Sequence, residues 1–330
     1  GAEVWDADGR RFIDCVAGYG NLNIGHNHPK VVEAVVGELR ADRPFNLPFL
    51  SDVQARFASK LANICPGDLE CSFIVNSGSE AVDTALKLAR LSTSRAHVIS
   101  MKGSWHGFTF GAMSVSEPSL CKGFGPLLPE VTHVEFGDAK AAQEAITEKT
   151  GAIIVEPIES ESGAIVPPSG YLNELSRICT DRGIVLIFDE VKCGMGKTGR
   201  LFACEHEGVV PDILLSGKAL GGGAMPIGTV TSRRKFWGRF GYSFPMSSSS
   251  GAGNAPACAA GLATLEVIEE EGLCEKAVGA GARFTAGIGD IARDFPEFVH
   301  GSSGRGLLLS MHTDSLKTAS SIVASCARRG

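Results

Sequence analysis

The sequence predicts an α/β protein in which a mostly parallel sheet is sandwiched between helices, with a smaller α+β domain beside it. Short apolar runs at residues 72–75, 96–101, 152–156, 184–189, 212–216 and 227–231 alternate with amphipathic stretches at 80–91, 140–148 and 170–182. Alternation of buried strands with helical patterns implies parallel pairing with helices on both faces. From about Asn254 the character changes: long helical patterns cover 255–271 and 274–295, a short strand is expected at 306–311, and a last helix at 315–328. The division this implies is an N-terminal segment 1–41 joined to a small C-terminal domain 253–330, with a large domain 42–252 between them.

Helix-start signals agree with these elements. Ser79 precedes one apolar-periodic stretch, and Pro167-Pro168-Ser169 leads into another; such residues satisfy or tolerate the unpaired N–H groups of a first turn.

Length and composition narrow the function classes. A chain of 330 residues can bury a large core. Its net charge of −6 is mild and its Lys and Arg are scattered, which argues against nucleic acid or an anionic membrane surface as principal partner. No apolar run approaches the roughly 18 residues of a spanning helix. Ten cysteines are spread without C-x-x-C spacing, several of them in apolar stretches, so reduced thiols in a cytoplasm are expected.

In open α/β sheets ligands bind beyond the carboxyl ends of the strands, which directs attention to the residues after each run. Asn76-Ser77-Gly78-Ser79-Glu80 opens a helix with small residues whose free N–H groups suit a phosphate, or which simply cap the helix. Gly103-Ser104-Trp105-His106-Gly107 offers an aromatic platform or a buried aromatic. Asp189 ends an apolar strand, where a carboxylate is costly without a cationic or proton-donating partner. Lys218 follows another strand and is flanked by Gly217 and by Gly221-Gly222-Gly223. A phosphate site, a platform, a buried carboxylate and a crevice lysine are together what pyridoxal phosphate requires: the lysine forms a Schiff base and the carboxylate keeps the ring nitrogen protonated.

Rival motifs fit less well. Gly196-Lys197-Thr198 resembles the end of a Walker A loop, but Val191 stands where its first glycine is needed. Gly194, Gly196 and Gly199 have dinucleotide-loop spacing, yet no helix start follows them. His26 and His28 lack convincing further metal ligands nearby, and turn residues ahead of Pro29 are the plainer account.

From Gly1 to about Met311 the chain resembles class III aminotransferases, the fold type I pyridoxal phosphate enzymes. NSGSEAVDTALKLAR, SWHGFTFGAMSVS, EPIESESGAIVPPSGYL, GNAPACAAGLATLEV and above all IFDEVKCGMGKTGRLFACEHEGVVPDILLSGKALGGGAMPIG carry the likeness. The stretch ACEHEGVVPDILLSGKALGGGAMPIG looks most like the putrescine branch, close to the ornithine and acetylornithine enzymes. The resemblance implies that Lys218 bonds the cofactor and shuttles a proton, that Asp189 pairs with the pyridine nitrogen, and that Val191 and Trp105 cover the two ring faces, with His106 beside Trp105. It implies phosphate contacts from Ser77, Gly78 and Ser79, a cofactor-side role for Glu156, a homodimer with shared sites, and a Ser250 that reaches the partner's phosphate. The implied reaction is ping-pong transfer of an amino group from a primary amine, of ω-amino acid or diamine type, to an aldehyde or keto acceptor. Another reaction on the same cofactor, such as an aminomutase or decarboxylase, and a non-catalytic relative are the alternatives.

Departures from the family pattern fall around the substrate. Lys192 replaces a glutamine that touches the cofactor's phenolic oxygen, and its ammonium would stabilise a phenolate there. The usual EPIQGEGG is EPIESESG here, which introduces Glu159 as an additional carboxylate. An arginine ahead of Gly-x-Gly-Leu is replaced by Ser303, and Arg305 is not its equivalent. The family pattern also extends beyond both ends, so a piece of a longer protein is expected.

Overall fold

The computed structural model describes residues 1–42, 44, 51–240 and 249–330. The chain opens with an antiparallel hairpin, β1 (Glu3–Trp5) and β2 (Arg11–Ile13), a single turn α1 (Ala17–Gly20), and helices α2 (Pro29–Arg40) and α3 (Asp52–Ile64). Pro29 occupies the first turn of α2, where a missing N–H costs nothing, and the Ser51 hydroxyl accepts from the N–H of Gln54 to cap α3.

There follow β3 (Cys71–Val75), α4 (Gly78–Thr93), β4 (His97–Met101), α5 (Phe110–Ser114), β5 (Val131–Val134), α6 (Ala139–Glu144), β6 (Thr150–Val155), α7 (Tyr171–Arg182), β7 (Val185–Asp189), β8 (Ile213–Ser216), β9 (Gly228–Ser232) and α8 (Trp237–Phe240). Seven of these strands form one sheet in the order β3-β9-β8-β7-β6-β4-β5. The five from β5 to β8 pair in parallel, and β9 runs antiparallel to both of its neighbours.

Side chains alternate between two cores, as the pleat demands. Ile153, Val155, Leu186, Phe188 and Leu214 pack on the face covered by α3, α7 and the later helix α9 (Ala255–Glu270). Ala152, Ile154, Val185, Ile187, Ile213 and Leu215 pack on the face covered by α4 and α5. Burial on both faces is why these strands read as continuous apolar runs.

After α9 come α10 (Leu273–Asp294), β10 (Val299–Arg305), β11 (Leu308–Thr313) and α11 (Leu316–Arg329). α9 packs against α2 and α3, and α10 against β10. The single strand expected at 306–311 is in fact a hairpin, whose turn at Gly306–Leu307 is fixed by a bond from the N–H of Leu307 to the carbonyl of Lys197. β10 escapes a sequence reading because VHGSSGR carries only one buried apolar side chain, Val299. Two boundaries also move: α6 ends at Glu144 rather than 148, and α4 is capped by Ser77, two residues ahead of Ser79.

Candidate active site

Register brings the functional strand ends together. Val155 of β6 lies beside Phe188 of β7, and Asp189 lies beside Leu215 of β8. Glu156, Asp189 and Lys218 therefore emerge from three neighbouring parallel strands at one end of the sheet, where an α/β fold places its ligands. Lys218 begins a short 3-10 turn, Lys218–Gly221, with φ of 44°. A non-glycine residue in the left-handed region costs of the order of 1–3 kcal/mol and persists only where its surroundings enforce it.

Asp189 is 3% exposed and carries two hydrogen bonds. Its Oδ2 lies 2.7 Å from Nδ1 of His106, and its Oδ1 accepts from the N–H of Val191 at 3.0 Å. His106 is equally buried, and its Nε2 has no protein partner among the described residues. The carboxylate is thus fixed in place, with lone pairs to spare for one further proton donor in the crevice.

The N-terminus of α4 faces the same space. Ser77 Oγ accepts from the N–H of Glu80 at 3.1 Å, leaving the first-turn N–H groups of Gly78 and Ser79 for an anion. Ser79 Oγ accepts from the N–H of Phe108 at 3.2 Å, tying the helix to the loop that carries Trp105, itself half-buried. A Cβ at Gly78 would stand 2.8 Å from Cγ1 of Val191, and one at Gly217 would stand 3.4 Å from the backbone of Gly78. Only glycine at position 78 lets the helix start, Val191 and the strand that delivers Lys218 approach so closely.

Charged groups ring this cradle. Glu156 and Glu159 are each 2% exposed. Ser160 Oγ donates to Glu156 Oε1 at 2.6 Å, whereas Glu156 Oε2 has no partner among the described residues. Burial, and next the charge of Asp189, push the Glu156 carboxyl up to about 7; burial, and next the charge of Glu156, do the same to Glu159. Lys192 Nζ lies 2.6 Å from Glu161 Oε1, bridging the loops after β7 and β6. An ammonium has three donors, so this pair leaves others free for a ligand.

Sequence reasoning weighed Lys197 only within a rejected phosphate-loop likeness and passed over Glu190. Lys197 donates to the carbonyls of Gly20 and Lys192, and burial, with the nearby Lys218 charge, lowers it to about 8. Glu190 is fully buried and accepts from the N–H groups of Ala203 and Cys204, locking the loop after β7. A carboxylate next to Asp189 with no apolar partner pattern was the only signal of that role. Ser250 is exposed, in a turn whose neighbour Ser249 accepts from Asn76 Nδ2. His26 pairs with Asp14 and His28 with Glu271, so the two imidazoles do not converge.

The fold and this strand-end constellation define a pyridoxal phosphate enzyme of fold type I. A helix terminus with free N–H groups, a buried carboxylate with two hydrogen bonds and a lysine at the neighbouring strand end are groups chemically suited to that cofactor. A model of the class III aminotransferases matches residues 1–330. Ornithine aminotransferase from Toxoplasma gondii is 32% identical with a TM-score of 0.89, over 96% of this chain and 76% of that one. An (S)-enantioselective ω-transaminase from Thermomicrobium roseum is 29% identical with a TM-score of 0.90, over 95% and 77%. Acetylornithine aminotransferase from Elizabethkingia anophelis is 29% identical with a TM-score of 0.82, over 96% and 78%. A second structure of the Toxoplasma gondii enzyme has pyridoxal phosphate in partial occupancy at its active site. The chain belongs to the class III aminotransferase family and is a pyridoxal-phosphate-dependent transaminase.

Proposed function

We propose that this transaminase takes its amino group from a primary amine of the ω-amino acid or diamine type and passes it to an aldehyde or keto acid by a ping-pong cycle. The family and the ornithine, acetylornithine and ω-transaminase likenesses support the donor class. The observation that carries the site is the convergence of Lys218, Asp189 and the α4 terminus at one end of the sheet, where Gly217 approaches Gly78.

When bound, pyridoxal phosphate supplies an electrophilic carbon for the amine and a sink for the electron pair released when the donor's C–H bond breaks. The protein's part is binding, orientation and proton movement. Gly78 and Ser79, with Ser77 holding the helix start, would bind the phosphate, and Trp105 and Val191 would lie against the ring. Asp189, itself oriented by His106, would hold a proton on the ring nitrogen. Lys218 would anchor the cofactor through Nζ and, once the donor amine has displaced it, the freed Nζ would accept and return the donor-carbon proton. Lys192 and Glu156 would complete the polar surroundings.

Ser250, exposed in the single chain, reaches the phosphate of a partner copy, making the working unit a homodimer with shared sites. The packing of α2 on α9 supports the assembly of residues 1–41 and 253–330 into one small domain beside 42–252. A cytoplasmic setting fits ten cysteines that are all unpaired.

The test is the visible spectrum after loading with pyridoxal phosphate, before and after a diamine or an ω-amino acid. A band of lysine-bound cofactor that the donor bleaches, and that Lys218→Ala cannot form, supports the reading; a wild-type protein that forms no band sinks it.

A further inference from the structure

We propose that Lys197 is a positioning residue: its ammonium ties the carbonyl of Gly20 to the carbonyl of Lys192, and this tie sets where the Lys192 side chain stands at the mouth of the site. The inference rests on the reading above that Lys192 lies in the cofactor's polar surroundings. It gives a role to a lysine that the reading leaves unused.

Lys197 sits where three parts of the chain meet. Its Nζ donates to the Gly20 carbonyl at 3.0 Å and to the Lys192 carbonyl at 3.1 Å. Its own carbonyl accepts from the N–H of Leu307, at the turn of the β10–β11 hairpin. The lysine of the phosphate-loop-like stretch is thus engaged with backbone, two of its three donors on carbonyls. The titratable groups that act on it are Lys218, Cys193 and Lys192. An ammonium held away from water needs such bonds, and here they join the N-terminal segment to the loop after β7.

The segment it holds is strained. Ala17, Gly18, Tyr19 and Gly20 all have φ between 50° and 80°. Residues with a Cβ adopt this left-handed backbone at a cost, and rarely in succession. Asp14 fixes the start of the turn: its Oδ1 accepts from the N–H groups of Val16 and Ala17, and its Oδ2 lies 2.8 Å from His26 Nε2. Lys197 fixes the end at Gly20, and just beyond it Asn23 Nδ2 donates to the Met195 carbonyl at 2.8 Å. Strain of this kind persists only where surrounding contacts enforce it.

Gly20 is also where the turn touches Lys192. A Cβ there would stand 2.6 Å from Lys197 Nζ and 3.6 Å from Lys192 Cγ. The turn therefore lies along the Lys192 stem while Lys197 holds the same residue's carbonyl. Both contacts act on one side chain, whose Nζ lies 2.6 Å from Glu161 Oε1. A lysine free at its stem samples many rotamers; one with its carbonyl pinned and its stem covered keeps its charge in one place. Loosening the tie releases the ammonium to solvent, and its pull on a phenolic oxygen weakens.

The experiment is a pH titration of the visible band in cofactor-loaded wild type, Lys197→Met, Lys197→Arg, Gly20→Ala, Lys192→Gln and the double variant of Lys192→Gln with Lys197→Met. Lys197→Met should raise the apparent pKa of the band by less than Lys192→Gln does, and the double variant should match Lys192→Gln alone. Lys197→Arg, which can also donate to two carbonyls, should stay with wild type. Gly20→Ala keeps every charge and displaces Nζ, so it should shift in the Lys197→Met direction. Hydrogen exchange at the amides of Gly20, Asn21 and Leu22 should quicken in Lys197→Met and not in Lys197→Arg. A Lys197→Met titration that coincides with wild type, where Lys192→Gln is shifted, would overturn the proposal and leave the reading of Lys192 intact. Unchanged exchange in Lys197→Met would overturn it as well. So would a Lys197→Met shift that persists beside Lys192→Gln, since that is the direct effect of a charge lost near Lys218. A Lys192→Gln titration that matches wild type would remove the reading of Lys192, and the proposal with it.

Discussion

The ammonium of Lys192 lies 2.6 Å from the carboxylate of Glu161, joining the loop after β7 to the loop after β6 across the mouth of neighbouring strand ends. Lys192 is mostly covered and Glu161 is half-exposed, so the partner that solvent or a ligand can most easily displace is the acid. A cation here favours a deprotonated phenolic oxygen on a bound cofactor. Lys192→Gln should raise the apparent pKa of the visible band by about one unit, the lower end of what a single neighbouring charge does. Glu161→Gln, which frees the ammonium, should move it the other way. Identical spectral titrations for all three proteins would exclude Lys192 from the cofactor's surroundings.

His106 holds Asp189 through Nδ1, with both residues almost fully buried. His106→Leu leaves a buried carboxylate with one donor in place of two. Urea unfolding of the cofactor-free protein should show a loss of about 1–3 kcal/mol, the usual cost of an unsatisfied buried group. Cofactor affinity should fall with it. A variant as stable as wild type would mean that Asp189 finds water or another donor.

The two raised carboxyls make stability depend on pH in a defined direction. Glu156 and Glu159 have folded values of about 7 against an ordinary 4.5, so between those limits the folded state binds more protons than the unfolded one. Stability from this source is complete below about 4.5 and is lost as pH rises through about 7. The loss in wild type, relative to Glu159→Gln, should appear in denaturant midpoints measured across that window. Parallel midpoints in the two proteins would contradict the assignment.

Phe57 is fully buried in α3, and its ring leaves no room for a Cβ on Gly261 of α9, which would stand 2.7 Å away. Phe57→Ala should cost about 3–5 kcal/mol by opening a cavity between these helices. Gly261→Ala should also destabilise, by about 1–3 kcal/mol, although alanine is the better helix former. Thermal unfolding of both variants checks this; a stabilised Gly261→Ala would show that α3 and α9 can part without loss.

How much of this was legible depended on where the signal lay. β6, β7 and β8 are buried on both faces, so their apolar runs are unambiguous, and Asp189 and Lys218 could be picked out as crevice groups at strand ends, while Glu156 came only with the family resemblance. β10 could not be seen because its partner strand, rather than its own side chains, defines it. α2 and α3 are strongly amphipathic, yet they lay outside the strand–helix alternation that guided the reading. Pairings across long sequence distance were invisible altogether. No pattern joins Lys192 to Glu161, or His106 to Asp189 across 83 positions; the sheet register creates those neighbours.

The left-handed backbone of Lys218 sets function against robustness at a single position. Glycine would relax there at no steric cost, so Lys218→Gly should be a firmer protein than Lys218→Ala, and both would be inert. Selection for stability alone would therefore favour glycine here. Its presence in so uncomfortable a conformation is a mark of use, legible in the backbone without reference to any ligand.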